Sequence, residues 1–174
     1  MEHGGLDERR LIAMARALGH RLRPGDVVLL EGPMGAGKTT FTRALAEGLG
    51  VARPDRVRSP TYNLCLVHAG PCPLVHVDLF RLAGDEAPAA GSVSDAAFEA
   101  LGLPELSEGA EAAASVLVVE WADLWAEPPA AHLRVRLALE PSDPARRTLA
   151  AEAVGSRARD LLAAWIAEID PLVP

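Results

Sequence analysis

The glycine-rich loop, Gly32–Thr39, is the feature that most constrains what this chain can fold into. It reads Gly, four further residues and then Gly-Lys-Thr, and it follows the short apolar run Val27–Leu30 closely. Apolar residues at helical spacing come after it and continue to Gly50. A strand, a tight glycine turn and a helix in this order point successive backbone N–H groups at one spot, at the positive end of the helix. The pattern therefore predicts a loop that holds the phosphates of ATP or GTP.

Two side chains of the loop have separate chemical tasks. Lys38, the sole lysine of the chain, supplies a positive charge to the outer phosphates. The hydroxyl of Thr39 can ligate the magnesium ion that accompanies a nucleotide. A Gly-rich turn without function is the alternative, but the strand before it and the helix after it favour phosphate binding.

A phosphate loop does not by itself hold the metal or the attacking water, so an acidic residue is expected at the tip of a neighbouring strand. Asp78 closes the apolar run that begins at Leu74, and Glu120 closes Val116–Val119. Either acid alone could be a solvated carboxylate. Behind this loop, we expect one to be a metal ligand and the other to orient water or to link to the metal. His76 shares the strand face of Asp78, but a lone histidine is more often structural.

Ser59-Pro60-Thr61-Tyr62 forms a turn that leads into a predicted strand, with Pro60 restricting the residue before it. This motif has two interpretations. It is either a simple boundary between elements or a switch-like segment that brings the Thr61 hydroxyl near the γ-phosphate.

The remaining patterns predict an α/β fold of three layers with a mixed, mostly parallel central sheet, in a single domain spanning residues 1–174. A helix follows a cap at Asp7 and ends at Gly19 or at Pro24-Gly25. The other predicted elements are strands over Tyr62–Val67 and Leu74–Leu79 joined as a hairpin, surface helix and loops over Ala83–Glu111 with an amphipathic piece at Ala96–Leu101, strands over Val116–Val119, Leu133–Leu139 and Arg147–Ala153, and a closing helix over Arg159–Ile169.

Composition and charge exclude several classes of protein. The net charge of −7 argues against a surface that grips nucleic acid by neutralising phosphates, so a partner is expected to hold any RNA. No apolar run reaches the roughly 18 residues that span a bilayer. The N-terminal segment mixes charged with apolar residues and lacks the core of a signal peptide, which predicts a cytoplasmic protein with no membrane contact.

Four motifs stand in a fixed order in this one small chain: Gly32–Thr40, Ser59–Tyr62, Asp78–Leu82 and Glu120-Trp121. The combination is much more specific than the glycine-rich loop alone. Over roughly Asp7–Leu139 the chain resembles the bacterial TsaE (YjeE) family, the ATPase of tRNA threonylcarbamoyladenosine biosynthesis. The resemblance implies a P-loop α/β domain with a mixed sheet.

The resemblance also implies roles for individual residues. Thr39 and Glu120 would coordinate Mg²⁺, Asp78 would be the acid needed for hydrolysis, and Thr61 would be the threonine of the switch-like segment. Trp121 would lie beside the nucleotide. The residues that would bind the ATP phosphates are Gly35, Ala36, Gly37, Lys38, Thr39 and Thr40, with Lys38 neutralising their charge.

As a member of that family, the protein would join TsaB and TsaD, which transfer threonylcarbamoyl to the adenosine next to the anticodon. Its ATP hydrolysis, weak without partners, would support turnover of the complex, and tRNA would be reached indirectly. A small P-loop kinase that phosphorylates a metabolite is the alternative, with Arg81 and the cluster Arg53-Arg56-Arg58 as the arginines that would face the phosphoryl group. It is less favoured, because no lid-like sequence with several arginines follows the later strands. A nucleotide sensor that does not hydrolyse ATP is a third hypothesis.

The chain departs from the family pattern at two places. The family loop usually has Asp where this chain has Pro33, and this change removes one backbone donor and one carboxylate. Nucleotide binding should survive, because Gly35, Gly37, Lys38 and Thr39 are present. The Ala83–Gly109 stretch is longer and richer in Ala and Gly than expected, so no role is transferred to its residues.

Overall fold

The computed structural model describes residues 1–60, 64–83 and 114–169, together with Gly91, Val93 and Ala96. Several predictions fall on residues outside this set. They are the position of Thr61, the beginning of the strand predicted from Tyr62, and most of the predicted Ala83–Glu111 surface segment.

The described residues form seven strands and three α-helices, and none of these helices is long and apolar enough to cross a membrane. The strands are β1 (Glu2–Leu6), β2 (Val27–Glu31), β3 (Cys65–His68), β4 (Leu74–Asp78), β5 (Val116–Glu120), β6 (His132–Glu140) and β7 (Asp143–Val154). The helices are α1 (Glu8–Arg21), α2 (Lys38–Leu49) and α3 (Ser156–Ile169).

All seven strands belong to one sheet, in the order β1-β7-β6-β2-β5-β4-β3. The four middle strands, β6, β2, β5 and β4, are parallel to one another. The pairs at both edges are antiparallel, including the predicted hairpin of β3 and β4. The sheet is therefore mixed and parallel in its middle, as the sequence predicts. The apolar run of β2 is continuous because strands flank it on both sides and side chains cover both of its faces.

Alternate residues of β2 enter two different apolar cores. Val28 and Leu30 pack in the core that also holds the apolar faces of α1, α2 and α3. Leu29 enters a second core on the opposite face, with Leu124 and Trp125 from the segment after β5. This division gives the α/β fold three layers, with the sheet in the middle.

Helix α1 begins where the sequence predicts and ends later than one of the two proposed stops. Asp7 is the N-cap, and its carboxylate accepts a hydrogen bond from the backbone N–H of Arg10 at 2.8 Å. The helix ends at Arg21, just before the Pro24-Gly25 turn. The alternative stop at Gly19 is wrong, because Gly19 lies inside the helix and serves packing instead of termination.

Gly19 lets α1 approach α2 to backbone contact. A Cβ on Gly19 would lie 2.2 Å from the carbonyl oxygen of Leu45 on α2. A Cβ on Gly48 of α2 would lie 2.1 Å from the carbonyl oxygen of Arg16 on α1. Neither distance is compatible with a side chain, so both glycines are required for the helices to cross this closely.

Strand β1 is an element that the sequence analysis did not predict. It contains Gly4 and Gly5, which weaken the alternating signal of a strand. It forms because Glu2 and His3 pair with Ala150 and Leu149 of β7, far away in the sequence.

Candidate functional site

An open cleft of about 430 Å³ lies where β2, β4 and β5 end. Among the described residues to which the family resemblance gives a role, all line it except Ala36, a loop residue with no exposed surface. The arginines of the kinase alternative, Arg81 and the cluster Arg53-Arg56-Arg58, do not line it. Thr61 lies outside the described residues. The cleft is lined by Met34, Gly35, Gly37, Lys38, Thr39, Thr40, Ser59, Asp78, Phe80, Glu120 and Trp121.

Glycine is needed at the beginning and at the end of the loop. Gly32 has a φ of 135°, and a Cβ there would lie 2.1 Å from the carbonyl oxygen of Leu137 on β6. Gly37 has a φ of 102° and is the residue just before α2. Left-handed φ values of this kind are readily available only to glycine. The loop can therefore turn from the end of β2 into the first turn of α2 within a few residues.

Arg147 of β7 holds the outer side of the loop, and the sequence analysis did not identify it. Its Nε donates to the carbonyl oxygen of Ala36 at 3.1 Å, and its Nη2 donates to that of Gly35 at 3.2 Å. These bonds tie two carbonyl oxygens of the loop to β7. No local signal marks Arg147, because the contact depends on how β7 folds back beside the loop.

The ammonium group of Lys38 is bonded to the loop itself. Its Nζ donates to the carbonyl oxygens of Gly32 at 2.6 Å and Pro33 at 3.0 Å. It also lies 3.7 Å from the centre of the Trp121 ring, where a cation is attracted to the aromatic face. Burial lowers the pKa of Lys38, while the carboxylates of Glu120, Asp78 and Asp123 act in the opposite direction.

Glu120 is almost fully buried and uses both oxygens. Its Oε2 accepts a hydrogen bond from Thr39 Oγ1 at 2.9 Å. Its Oε1 is 3.1 Å from Thr42 Oγ1 and 2.8 Å from His76 Nε2. The contact with Thr39 joins the end of β5 to the first turn of α2. Thr42 was not singled out from the sequence, although it stands one helical turn after Lys38 and so shares its helix face.

Asp78 lies directly beside Glu120 but has different partners. The two residues are paired in the register of β4 and β5. Asp78 Oδ1 accepts a hydrogen bond from the backbone N–H of Phe80 at 3.0 Å, and Oδ2 accepts one from Ser59 Oγ. The structure thus joins the end of β4 to the segment that begins the Ser59–Tyr62 motif.

Trp121 closes one side of the cleft. Its backbone is left-handed, with a φ of 58°, which is rare for a residue with a side chain. Its ring packs against Phe80 with centroids 4.8 Å apart and against the ammonium of Lys38. This conformation turns the chain sharply after β5 and keeps the aromatic ring at the glycine-rich loop.

The oxygen atoms in the cleft fit a magnesium ion bound together with a nucleotide. Thr39 Oγ1 and Glu120 Oε2 are hard oxygen donors, and they face each other at 2.9 Å. In the described part of the chain, no group of three or more His, Cys, Asp or Glu side chains could hold a metal alone. Mg²⁺ is commonly held by one or two protein oxygens with phosphates and water supplying the others, and this donor set matches that pattern.

Comparison with known proteins identifies the family. The model of the family described as "Threonylcarbamoyl adenosine biosynthesis protein TsaE" matches residues 6–149. The protein named tRNA threonylcarbamoyladenosine biosynthesis protein TsaE from Bacillus subtilis strain 168 is 37% identical over 146 residues, which cover 83% of this chain and 80% of that protein. The protein of the same name from Streptomyces coelicolor is 42% identical over 117 residues, or 63% of this chain and 66% of the relative.

The fold has a close relative among solved structures. The crystal structure of Bacillus subtilis YdiB superposes with a TM-score of 0.74 and 29% sequence identity, covering 97% of this chain and 95% of that one. The family model extends from the last residue of β1 to the middle of β7 and so includes every residue of the cleft. The chain belongs to the TsaE family.

Proposed function

We propose that this protein is a P-loop ATPase that acts in the threonylcarbamoyladenosine modification of tRNA, within a single domain over residues 1–174. The observation that carries the proposal is the convergence of Lys38, Thr39, Asp78 and Glu120 on one cleft at the ends of parallel strands. In α/β sheets of this kind, ligands bind outside the carboxyl ends of the strands.

Phosphate binding follows from the loop and from Lys38. Residues 35–40 would surround the phosphates of ATP with the backbone N–H groups of the loop and of the first turn of α2. In this structure the ammonium of Lys38 donates hydrogen bonds to two carbonyl oxygens of the loop. Phosphate oxygens carry full negative charge and would replace these neutral carbonyls as its acceptors, since charge-assisted hydrogen bonds are roughly twice as strong.

We propose that the nucleoside part of ATP binds in a cleft of its own, beside the one that holds the phosphates. A second cleft, of about 280 Å³, lies at the other side of the glycine-rich loop and includes Glu8 and Arg147. Gly35, Gly37 and Thr40 line both clefts. A nucleotide that lies across these three residues would have its outer phosphates near Glu120 and its ribose and base near Glu8.

The proposed magnesium ion would be held by Thr39 and Glu120. When bound, it would neutralise charge on the β- and γ-phosphates. Asp78 lies at the neighbouring strand end and would orient the attacking water. Thr61, two residues beyond Ser59, is the proposed switch-like threonine near the γ-phosphate.

We place this ATPase in the cytoplasm, in a complex with TsaB and TsaD. The names of the Bacillus subtilis and Streptomyces coelicolor relatives support the modification pathway. The net charge of −7 favours protein partners over direct binding to tRNA. Hydrolysis would be slow in the isolated protein and would support turnover of the transferase complex.

A reconstitution tests this function. ATP hydrolysis and threonylcarbamoyl transfer to tRNA are measured with and without TsaB and TsaD, using the wild type and Lys38→Ala. We expect weak hydrolysis by the protein alone and loss of tRNA modification with the variant. Failure of the folded wild type to bind TsaB–TsaD would contradict the proposal. Transfer of labelled γ-phosphate to a small acceptor would favour the kinase alternative instead.

A further inference from the structure

His76 is a buried polar residue of β4 that the proposed function has not used. Its side chain has no exposed surface. In the parallel pairing of β4 with β5, His76 is opposite Val118 and Asp78 is opposite Glu120. Val118 belongs to the core that faces the helices. Since residues two apart share a strand face, His76, Asp78 and Glu120 all point to the side on which α2 packs.

The contact between His76 and Glu120 allows the ring hydrogen of His76 to be assigned. His76 Nε2 lies 2.8 Å from Glu120 Oε1, and an ionised carboxylate can only accept. With Glu120 as the acceptor, we assign the hydrogen to Nε2. The other ring nitrogen, Nδ1, is buried without a hydrogen-bond partner among the described residues. A hydrogen on Nδ1 would leave a buried donor unsatisfied, which favours the tautomer with hydrogen on Nε2 alone.

Thr42 contacts the same carboxylate oxygen but is a weaker constraint. Its hydroxyl lies 3.1 Å from Glu120 Oε1 and 3.1 Å from the carbonyl oxygen of Lys38. A threonine hydroxyl has one hydrogen to donate, so the two acceptors share it. His76 is thus the donor that fixes Oε1 without a competing acceptor.

We propose that His76 is a positioning residue for magnesium. By holding Oε1 inside the core, it turns Oε2 toward the hydroxyl of Thr39, where the two oxygens face the proposed ion. This inference rests on the proposed function, because it assumes a magnesium nucleotide in the cleft. Groups that orient a metal ligand from behind commonly change metal affinity about 10- to 100-fold when they are removed.

The test compares His76→Met with His76→Gln in the full chain. The two replacements have similar length and volume, but only glutamine can donate a hydrogen bond. The probe is a non-hydrolysable ATP analogue, and its binding is titrated with Mg²⁺. We expect His76→Met to raise the half-saturating Mg²⁺ concentration about tenfold or more, and His76→Gln to remain within about threefold of the wild type. Binding of the analogue in EDTA should stay within about twofold for both variants.

Two results of this comparison would overturn the inference. One is a folded His76→Met variant with the wild-type dependence on Mg²⁺, which would make the side chain only a packing element. The other is an equal loss in both variants, because the donor would then be irrelevant. A wild type whose analogue binding ignores Mg²⁺ would instead remove the proposed function, and this inference with it.

A measurement on the wild type protects the test against a variant that does not fold. Nitrogen-15 NMR distinguishes protonated from unprotonated ring nitrogens of histidine. We expect His76 to carry hydrogen on Nε2 and not on Nδ1, with a shift of its Nε2 signal when Mg²⁺ is added to the analogue complex. Hydrogen on Nδ1 alone would contradict the geometry and overturn the inference.

Discussion

The ends of β4 and β5 offer two carboxylates in the same register that are held in different ways. Glu120 is bonded to side chains of regular elements, Thr39 and Thr42 on α2 and His76 on β4. Within the described part of the chain, Asp78 accepts side-chain hydrogen bonds from connecting segments instead, from the hydroxyl of Ser59 and the backbone N–H of Phe80.

Under the proposed function, this difference would suit the two acids to different roles. Groups on packed helices and strands keep a fixed geometry, which suits a metal ligand. Groups on loops can change position when a ligand or partner arrives, which suits an acid that acts only in the assembled state. Each of the following variants tests one side of this contrast.

The largest effect is expected for Asp78→Asn. We expect ATP hydrolysis by the assembled complex to fall about 1,000-fold, because the amide cannot orient or accept a proton from water as the carboxylate does. Affinity for the magnesium nucleotide should stay close to the wild type. Turnover assays and equilibrium binding check this, with Asp160→Asn on the exposed face of α3 as the matched control. Loss of nucleotide affinity would mean that Asp78 is a ligand like Glu120.

Glu120→Gln should lower the affinity for Mg²⁺ more than it lowers the rate of the chemical step. We expect the half-saturating Mg²⁺ concentration to rise about 100-fold, equivalent to about 2.7 kcal/mol, because the charge that attracts the ion is removed. A Mg²⁺ titration of hydrolysis checks it, and excess Mg²⁺ should recover much of the rate. A rate that no Mg²⁺ concentration restores would assign Glu120 to the chemical step.

Ser59→Ala removes the hydroxyl that donates to Asp78. We expect hydrolysis to fall about tenfold, the value of one hydrogen bond to a charged group, with no change in the Mg²⁺ requirement. Ser59→Thr keeps the hydroxyl and should retain most activity. A change in Mg²⁺ dependence would show that the two acids are not independent.

The smallest effect is expected for Thr42→Val, which keeps the shape of the side chain and removes its hydroxyl. Because Thr42 shares its hydrogen between Glu120 and Lys38, we expect the half-saturating Mg²⁺ concentration to rise only about threefold. Titrating Thr42→Val and His76→Met with Mg²⁺ in the same assay compares how much each side chain, Thr42 or His76, contributes to holding Glu120. A larger loss with Thr42→Val than with His76→Met would make Thr42 the main support of Glu120.

Local pattern was sufficient to predict much of the fold. Helix α2 ends at Leu49 and is capped by Gly50, as the sequence predicts, since the φ of 82° at Gly50 suits glycine. The hairpin of β3 and β4 was expected from its turn residues. Strand β1 escaped prediction because its stability comes from β7 and not from its own residues. The predicted stop of α1 at Gly19 was wrong for the same reason, because this glycine serves the packing of α1 against α2.

The candidate site also contains residues that local sequence pattern predicts and residues that only the packing of distant elements explains. The glycine-rich loop, Asp78 and Glu120 could be found because each follows an apolar strand in the sequence. Arg147 and Thr42 could not be found by that reasoning, because their contacts are set by how β7 and α2 pack. His76 was recognised only as a neighbour of Asp78 on one strand face, and its bond to Glu120 required the pairing of β4 with β5.

The close crossing of α1 and α2 has a consequence for mutational scanning. Gly19 and Gly48 have no chemical role, yet a methyl group at either would push apart the helix that begins at the glycine-rich loop and its neighbour. Every substitution at these two positions should therefore be selected against as strongly as changes in the loop. In a scan of all substitutions, Gly19 and Gly48 would therefore rank with Lys38 among the least tolerant positions. Only an assay that measures folding separately from nucleotide binding would distinguish loss of packing from loss of phosphate binding.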